Sequence, residues 1–212
     1  MSLDDKYKRF LFDIIAEIYD LVRPQYPRSL IDDLEEASDL QRRNRILEIG
    51  SGTGQLTKGL AARGFNIDYI EIDPNLAGVA RTRLSKFPNI RIKIGNFEKM
   101  KYKANYYDLA VFPTSYKWID PNERIPRVTR LLRENGYIAI IETHHVNGDT
   151  ENFFIDSQTC YKLYDPNTSD TFQLPDPTEV IARKYEEETK NASTQYFEGF
   201  MSRKCSTHLQ ST

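Results

Sequence analysis

Three closely spaced glycines constrain the fold of this 212-residue chain more than any other feature. Gly50, Gly52 and Gly54 follow the apolar, strand-like segment 45–49 and precede the helix-like segment 55–63. Glycines permit a tight turn and close approach of the backbone to a ligand, and a helix start offers free N–H groups. The pattern therefore predicts a ligand-binding turn between a buried strand and a helix.

Short apolar segments alternate with amphipathic segments over about 100 residues after this turn begins. Such alternation is typical of a parallel sheet whose two faces are covered by helices. We predict an α/β, doubly wound, mostly parallel sheet, because crossover connections are right-handed. The predicted strands are 45–49, 67–72, 90–94, 107–112 and 137–141, and the predicted helices between them are 55–63, 75–86 and 121–134.

The residues before the first strand favour two helices. Apolar side chains recur at helical spacing from Leu3 to Leu21, and Pro24 ends that helix before a second one at 28–38. The basic stretch 41–45 then leads into the first strand, and we interpret it as a solvated turn rather than a nucleic-acid patch.

Composition excludes several classes of protein. Two cysteines and three histidines are too few for a disulfide framework or a four-ligand zinc site, and we predict no metal. A net charge of −2 gives no general attraction for nucleic acid or an anionic membrane. The sequence has no run of 18 apolar residues and no signal peptide at its start, so we expect a cytoplasmic protein. Its oligomeric state stays open.

The residues around the turn indicate which ligand it binds. Gln55 and Thr57 occupy the places where a dinucleotide-binding fingerprint has its third glycine. Glu48, two residues before the first glycine, would repel a diphosphate and attract a cationic amine. S-adenosylmethionine fits, because it carries an ammonium, a sulfonium, a ribose and an adenine but no phosphate.

The ends of the next two strands complete this predicted site. Glu71 ends the second strand, where a carboxylate accepts hydrogen bonds from ribose hydroxyls, whereas Asp73 before Pro74 is interpreted as a helix cap. At the third strand end, Asn96 would bind the adenine amino group and Phe97 would lie near the ring or in the core. The predicted cofactor-binding residues also include Ser51, Ile72 and Pro113.

At this point the sequence resembles the class I S-adenosylmethionine-dependent methyltransferases of small-molecule type. Residues 48–54 resemble the family's first motif, Glu71 falls on its ribose-binding acidic position, and Asn96 stands where the family commonly has Asp. The resemblance implies a Rossmann-like methyltransferase fold with S-adenosyl-L-methionine as cofactor. It also implies an N-terminal helical lid in which Tyr19, Arg23 and Tyr26 close over the cofactor.

On this basis we expect one domain, 1–212, in three parts. Residues 1–40 would form the lid, 45–142 the cofactor-binding core, and 143–212 the substrate-side helices and tail. The family usually finishes its sheet with an antiparallel strand pair, for which this sequence offers at most one edge strand near 197–204. Residues facing the acceptor would be Tyr116, Trp118, Phe154 and Tyr161.

The expected reaction is methyl transfer to a small organic acceptor by in-line displacement, in which positioning and desolvation dominate. His144 and His145, after the fifth strand, are candidate general bases where the acceptor must lose a proton. Three alternatives remain: a non-catalytic binding or interaction protein with an incomplete C-terminal cap, an RNA or protein methyltransferase, and a nucleotide-dependent oxidoreductase.

Overall fold

The computed structural model describes residues 16–144 together with residues 163, 176, 178 and 179. The chain divides into two compact units, and the first comprises residues 1–142 and 203–211. Every helix and strand whose bounds are given below belongs to that first unit. No helix among the described residues is both long and apolar enough to cross a membrane. The single-domain organisation inferred from the sequence stays a prediction.

The centre of the first unit is a five-stranded sheet with the order β3-β2-β1-β4-β5. All four strand pairs are parallel, which confirms the predicted doubly wound α/β class. The order reverses direction at β1, and ligands of open α/β sheets bind beside such a switch point, outside the carboxyl ends of the strands. The strands are β1 Arg45–Ile49, β2 Asn66–Glu71, β3 Ile90–Ile94, β4 Tyr107–Pro113 and β5 Leu132–Ile141.

Helices connect the strands in the predicted places. Asp73 caps the helix that follows β2, because its side chain accepts a hydrogen bond from the Asn75 backbone N–H at 2.7 Å. Pro74 occupies the first helical position, where its missing N–H costs nothing. The helices are α1 Ala16–Val22, α2 Arg28–Ala37, α3 Gln55–Ala62, α4 Pro74–Arg83 and α5 Pro121–Leu131, and a short 3-10 helix spans Tyr116–Trp118.

The last strand begins earlier than the sequence suggests. The predicted continuation of the preceding helix to Glu134 is wrong, because α5 ends at Leu131 and Leu132 pairs with Tyr107 of β4. The register then shifts before regular pairing resumes at Tyr137, and Asn135 lies between with φ of 59°. Pairing with β4 therefore overrides the local helical pattern.

Two apolar clusters fill the space between the sheet and its helices. Because strand side chains alternate between faces, Ile46 lies in one cluster while Leu47 and Ile49 lie in the other. Glu48 follows the same alternation and shares the face of Ile46, which α3 covers through Leu60. This alternation turns a carboxylate inward at the carboxyl end of the central strand.

Candidate functional site

The turn after β1 requires glycine at each of the positions 50, 52 and 54. Gly50, Gly52 and Gly54 have φ values of 70°, 60° and 84°, in the left-handed region. A Cβ at position 50 would lie 2.4 Å from Cβ of Ser115, and one at position 54 would lie 2.8 Å from Cδ1 of Leu84. The turn is therefore packed tightly against the residues after β4 and at the end of α4.

Hydrogen bonds tie the turn to β2. The backbone N–H groups of Gly50 and Ser51 both donate to the carbonyl of Ile70, at 2.9 and 3.2 Å. The Tyr69 hydroxyl donates to the carbonyl of Gly52, and the N–H of Gly54 donates to the carbonyl of Ser51. The protein itself thus uses the N–H groups of Gly50, Ser51 and Gly54, while the free N–H groups expected at the start of the following helix stay a prediction.

Glu71 at the end of β2 faces the middle of the turn. Its Oε2 accepts the Gly52 N–H at 2.8 Å, and its Oε1 accepts the N–H groups of Ile72 and Asp73 at 2.8 and 3.0 Å. Burial raises the pKa of this carboxyl above its ordinary value, although the three backbone donors oppose that rise. A carboxylate accepts about four hydrogen bonds, so Oε2 keeps an acceptor position for a ligand hydroxyl.

The most unusual group of the site is the carboxyl of Glu48. Its side chain is fully buried, and neither oxygen has a hydrogen-bond partner among the described residues. Burial raises the pKa of Glu48 to about 8, the neighbouring Thr57 hydroxyl opposes this rise, and the charge of Glu71 adds to it. Buried carboxylates are normally paired. An unpaired one beneath a ligand-binding turn indicates a missing cationic partner.

The N-terminal residues predicted to cover the cofactor lie beside the strand ends. The Arg23 guanidinium donates to Thr114 Oγ1 at 3.3 Å and lies 5.7 Å from the ring centroid of Tyr19. Burial raises the pKa of Tyr26 to about 12, against the opposing influence of Arg23. Burial likewise raises the pKa of Tyr19. The structure therefore brings these three residues together with the residue that follows β4.

Asp20 on α1 makes contacts that the sequence did not suggest. Its carboxylate accepts hydrogen bonds from Thr53 Oγ1 in the turn, at 2.5 Å, and from Arg83 at the end of α4. The Gln55 side chain lies at 3.5 Å from the same oxygen. These partners are distant in sequence, so only the folded chain reveals that Asp20 fastens α1 to the turn.

Three more residues predicted to bind the cofactor follow β2 and β3, and of these Asn96 and Phe97 are predicted to lie at the adenine. Ile72 is 41% exposed, which leaves an apolar surface beside Glu71 at the sheet edge. Asn96 uses its Oδ1 to accept the N–H of Glu98 at 2.7 Å, so the side-chain amide retains its donors. Phe97 is only 3% exposed and packs edge-on against Phe112 in the core. Its predicted place beside the adenine stays a prediction.

The residues predicted to face the acceptor are only partly described. Tyr116 is 4% exposed and packs edge-on against Phe112, while Pro113 is buried and Trp118 half-buried. His144 is exposed and belongs to the second unit. His145, Phe154 and Tyr161 lie outside the described residues, as does the segment 197–204. The roles assigned to these residues stay predictions.

The fold and this edge define a class of protein: doubly wound α/β proteins that bind a ligand at the carboxyl ends of a parallel sheet. Residues 47–140 match the family model described as a methyltransferase domain. An uncharacterized methyltransferase of Mycobacterium bovis is 32% identical over 123 residues, which cover 58% of this chain and 48% of that protein. The chain thus spans about half the length of the curated relatives it matches.

Solved structures share the fold at low sequence identity. A structure from Methanococcus maripaludis, described as an S-adenosyl-L-methionine-dependent methyltransferase, has a TM-score of 0.56 at 20% identity, with 85% of this chain and 78% of that chain covered. Phosphoethanolamine N-methyltransferase 2 of Haemonchus contortus, in complex with phosphomonomethylethanolamine and S-adenosylhomocysteine, has a TM-score of 0.55 at 17% identity, with 84% and 41% covered. The chain therefore shares the doubly wound, Rossmann-like fold of these two structures.

Proposed function

We propose that this protein binds S-adenosylmethionine at the edge formed by β1, β2 and β4 and transfers its methyl group to a small organic acceptor. The observation that carries the proposal is the buried, unpartnered carboxyl of Glu48 beneath the glycine turn. The ammonium of the cofactor's methionine part would supply a cationic partner for Glu48. The absence of phosphate from the cofactor suits a turn in which Gly50, Ser51, Gly52 and Gly54 already donate their N–H groups to the protein.

The second half of the site suits the nucleoside. Glu71 Oε2 would accept a hydrogen bond from a ribose hydroxyl while its other bonds to Gly52, Ile72 and Asp73 hold the carboxylate in place. The exposed side chain of Ile72 would pack against the adenine, and the Asn96 amide would bind the edge of the ring. Each of these contacts uses a group that the fold presents at the same edge.

The residues of this chain would promote the reaction by binding and orienting rather than by proton transfer. The bound cofactor supplies a methyl group already activated on a sulfonium. Glu48 and Glu71 would fix the two ends of the cofactor, and Tyr19 and Arg23 would cover it and exclude water. A general base is needed only for an acceptor that must lose a proton, and His144 and His145 are proposed for that case.

The ribose contact can be tested with Glu71→Gln. Losing one charge-assisted acceptor at this position should weaken S-adenosylhomocysteine binding by about 1–3 kcal/mol. Glu98→Gln is the matched control, because Glu98 lies after β3 and accepts the N–H of Asp120 instead. Equal affinity of the two variants and the wild type would remove Glu71 from the site.

The class of acceptor can be tested by following the methyl group. The purified chain is incubated with methyl-labelled S-adenosylmethionine and a cell extract, and the extract is separated into small-molecule, RNA and protein fractions. We expect label in the small-molecule fraction. Label in RNA or protein would replace the proposed acceptor by a macromolecule, and no transfer by a chain that binds the cofactor would favour the non-catalytic alternative.

A further inference from the structure

The opposite edge of the sheet carries a cavity of about 300 Å³. Because the strands are parallel, their amino ends meet there, away from the glycine turn. Its size is at the lower end of small-molecule sites. The cavity is lined by Arg45, Asn66, Pro88, Asn89, Arg91 and Tyr106.

Three cationic side chains converge on Tyr106, and two of them, Arg45 and Arg91, line the cavity with it. The Arg45 guanidinium lies 4.5 Å and the Lys103 ammonium 4.7 Å from the centroid of its ring. A hydrogen bond with Arg91 lowers the pKa of the Tyr106 hydroxyl. A tyrosine ring attracts cations but does not neutralise them. Their positive charge therefore stays available to an anionic ligand.

Two buried carboxylates of the described residues, Asp68 and Asp108, bond to cationic side chains near the cavity. Asp68 is 2% exposed, and its carboxylate accepts hydrogen bonds from the Arg91 guanidinium at 2.6 Å, the Lys93 ammonium at 2.9 Å and the Tyr107 hydroxyl at 2.6 Å. Asp108 receives the backbone N–H of Arg45 and the guanidinium of Arg133. Among residues 16–144, Asp68 and Asp108 are thus the carboxylates bonded to this group of five cationic side chains. The cationic side chains are Arg45, Arg91, Lys93, Lys103 and Arg133.

We propose that this cavity binds a small anion that carries a phosphate or diphosphate group, held by Arg45, Arg91 and Lys103. Guanidinium groups bind phosphate oxygens through paired, charge-assisted hydrogen bonds. The Arg91 side chain is 61% exposed, so its remaining donors are accessible from solvent. The basic stretch 41–45, interpreted from the sequence as a solvated turn, thus contributes one of its arginines to a binding site. The inference does not depend on the cofactor proposed for the other edge.

Calorimetric titration of the full chain with inorganic diphosphate tests the proposal. We expect a dissociation constant below about 1 mM, and Arg45→Gln should weaken binding about tenfold. Arg45 is suited to the test because its side chain is exposed and its N–H bond to Asp108 belongs to the backbone. Arg28→Gln, at the exposed first residue of α2, is the control and should bind diphosphate like the wild type.

The remaining measurements separate the possible outcomes. Unchanged S-adenosylhomocysteine affinity in Arg45→Gln would show that the variant is folded and the other edge intact, and Lys103→Gln should reproduce its loss of diphosphate binding. No diphosphate binding, or equal weakening by Arg28→Gln, would overturn the proposal. Binding of a single-stranded RNA oligonucleotide that diphosphate does not displace would also overturn it, in favour of a nucleic-acid surface.

Discussion

The buried carboxyl of Glu48 makes the stability of the ligand-free protein depend on pH. Its pKa of about 8 in the folded protein compares with an ordinary value of 4.5. Between these values the unfolded chain ionises this group while the folded protein keeps it protonated. The contribution of Glu48 to the free energy of unfolding is therefore fully present below about pH 4.5 and is lost as the pH rises towards 8.

The size of this effect follows from the two pKa values. Each pKa unit corresponds to about 1.4 kcal/mol, so the loss is about 1 kcal/mol at pH 5, about 3 kcal/mol at pH 7 and about 5 kcal/mol at pH 9. Glu48→Gln keeps the shape of the side chain and removes the titration. The free energy of unfolding of Glu48→Gln minus that of the wild type should thus grow by about 4 kcal/mol from pH 5 to pH 9.

Urea unfolding at several pH values measures this difference directly. Trp118 is the only tryptophan of the chain and belongs to the first unit, so its fluorescence reports on the unit that contains Glu48. Glu134→Gln, on the exposed part of β5, is the matched control and should show no such growth. A difference that stays constant with pH would refute the reasoning, because Glu48 would then be ionised in the folded protein or paired.

Three further predictions concern other parts of the first unit. Gly50→Ala should lower the free energy of unfolding by about 2–4 kcal/mol, because the new Cβ would meet Ser115. Gly78→Ala in α4, where a Cβ would have open space, should raise the free energy of unfolding by about 0.5–1 kcal/mol in the same assay. Burial opposes the charge of Asp68, but bonds from Tyr107, Lys93 and Arg91 hold its pKa below the ordinary value. Asp68→Asn should therefore lower the free energy of unfolding by about 2–4 kcal/mol at neutral pH. This loss should shrink as the pH falls through the lowered pKa, as urea unfolding from pH 2 to pH 7 would measure. Asp20→Asn should release α1 from the turn and weaken S-adenosylhomocysteine binding severalfold by calorimetry while the melting temperature changes little.

Local patterns in the sequence were sufficient for much of the fold and for the centre of the site. The three glycines define the turn by themselves, because only glycine adopts its backbone freely. Asp73 before Pro74 is a local cap signal, and the structure confirms it. The position of Glu71 follows from strand length and parallel pairing. These features depend on neighbours in sequence or on regular geometry.

Other features depend on contacts between distant residues, which the sequence alone does not reveal. The bonds of Asp20 join α1 to the turn and to α4 across more than thirty residues. The use of the turn's N–H groups depends on Ile70 and Glu71. The early start of β5 depends on pairing with Tyr107. In each case a tertiary contact changes what the local pattern would favour.

The central claim is that the unpaired Glu48 and its neighbours bind a cofactor with a cationic amine and no phosphate. Calorimetric titration of the purified chain with S-adenosylmethionine, S-adenosylhomocysteine and NAD tests it most directly. We expect micromolar affinity for the first two and none for NAD. Repeating the titration near pH 7 in buffers of different ionisation enthalpy should also show a proton released, because the bound ammonium lowers the pKa of Glu48. A folded chain that binds NAD, or none of the three, would contradict the account.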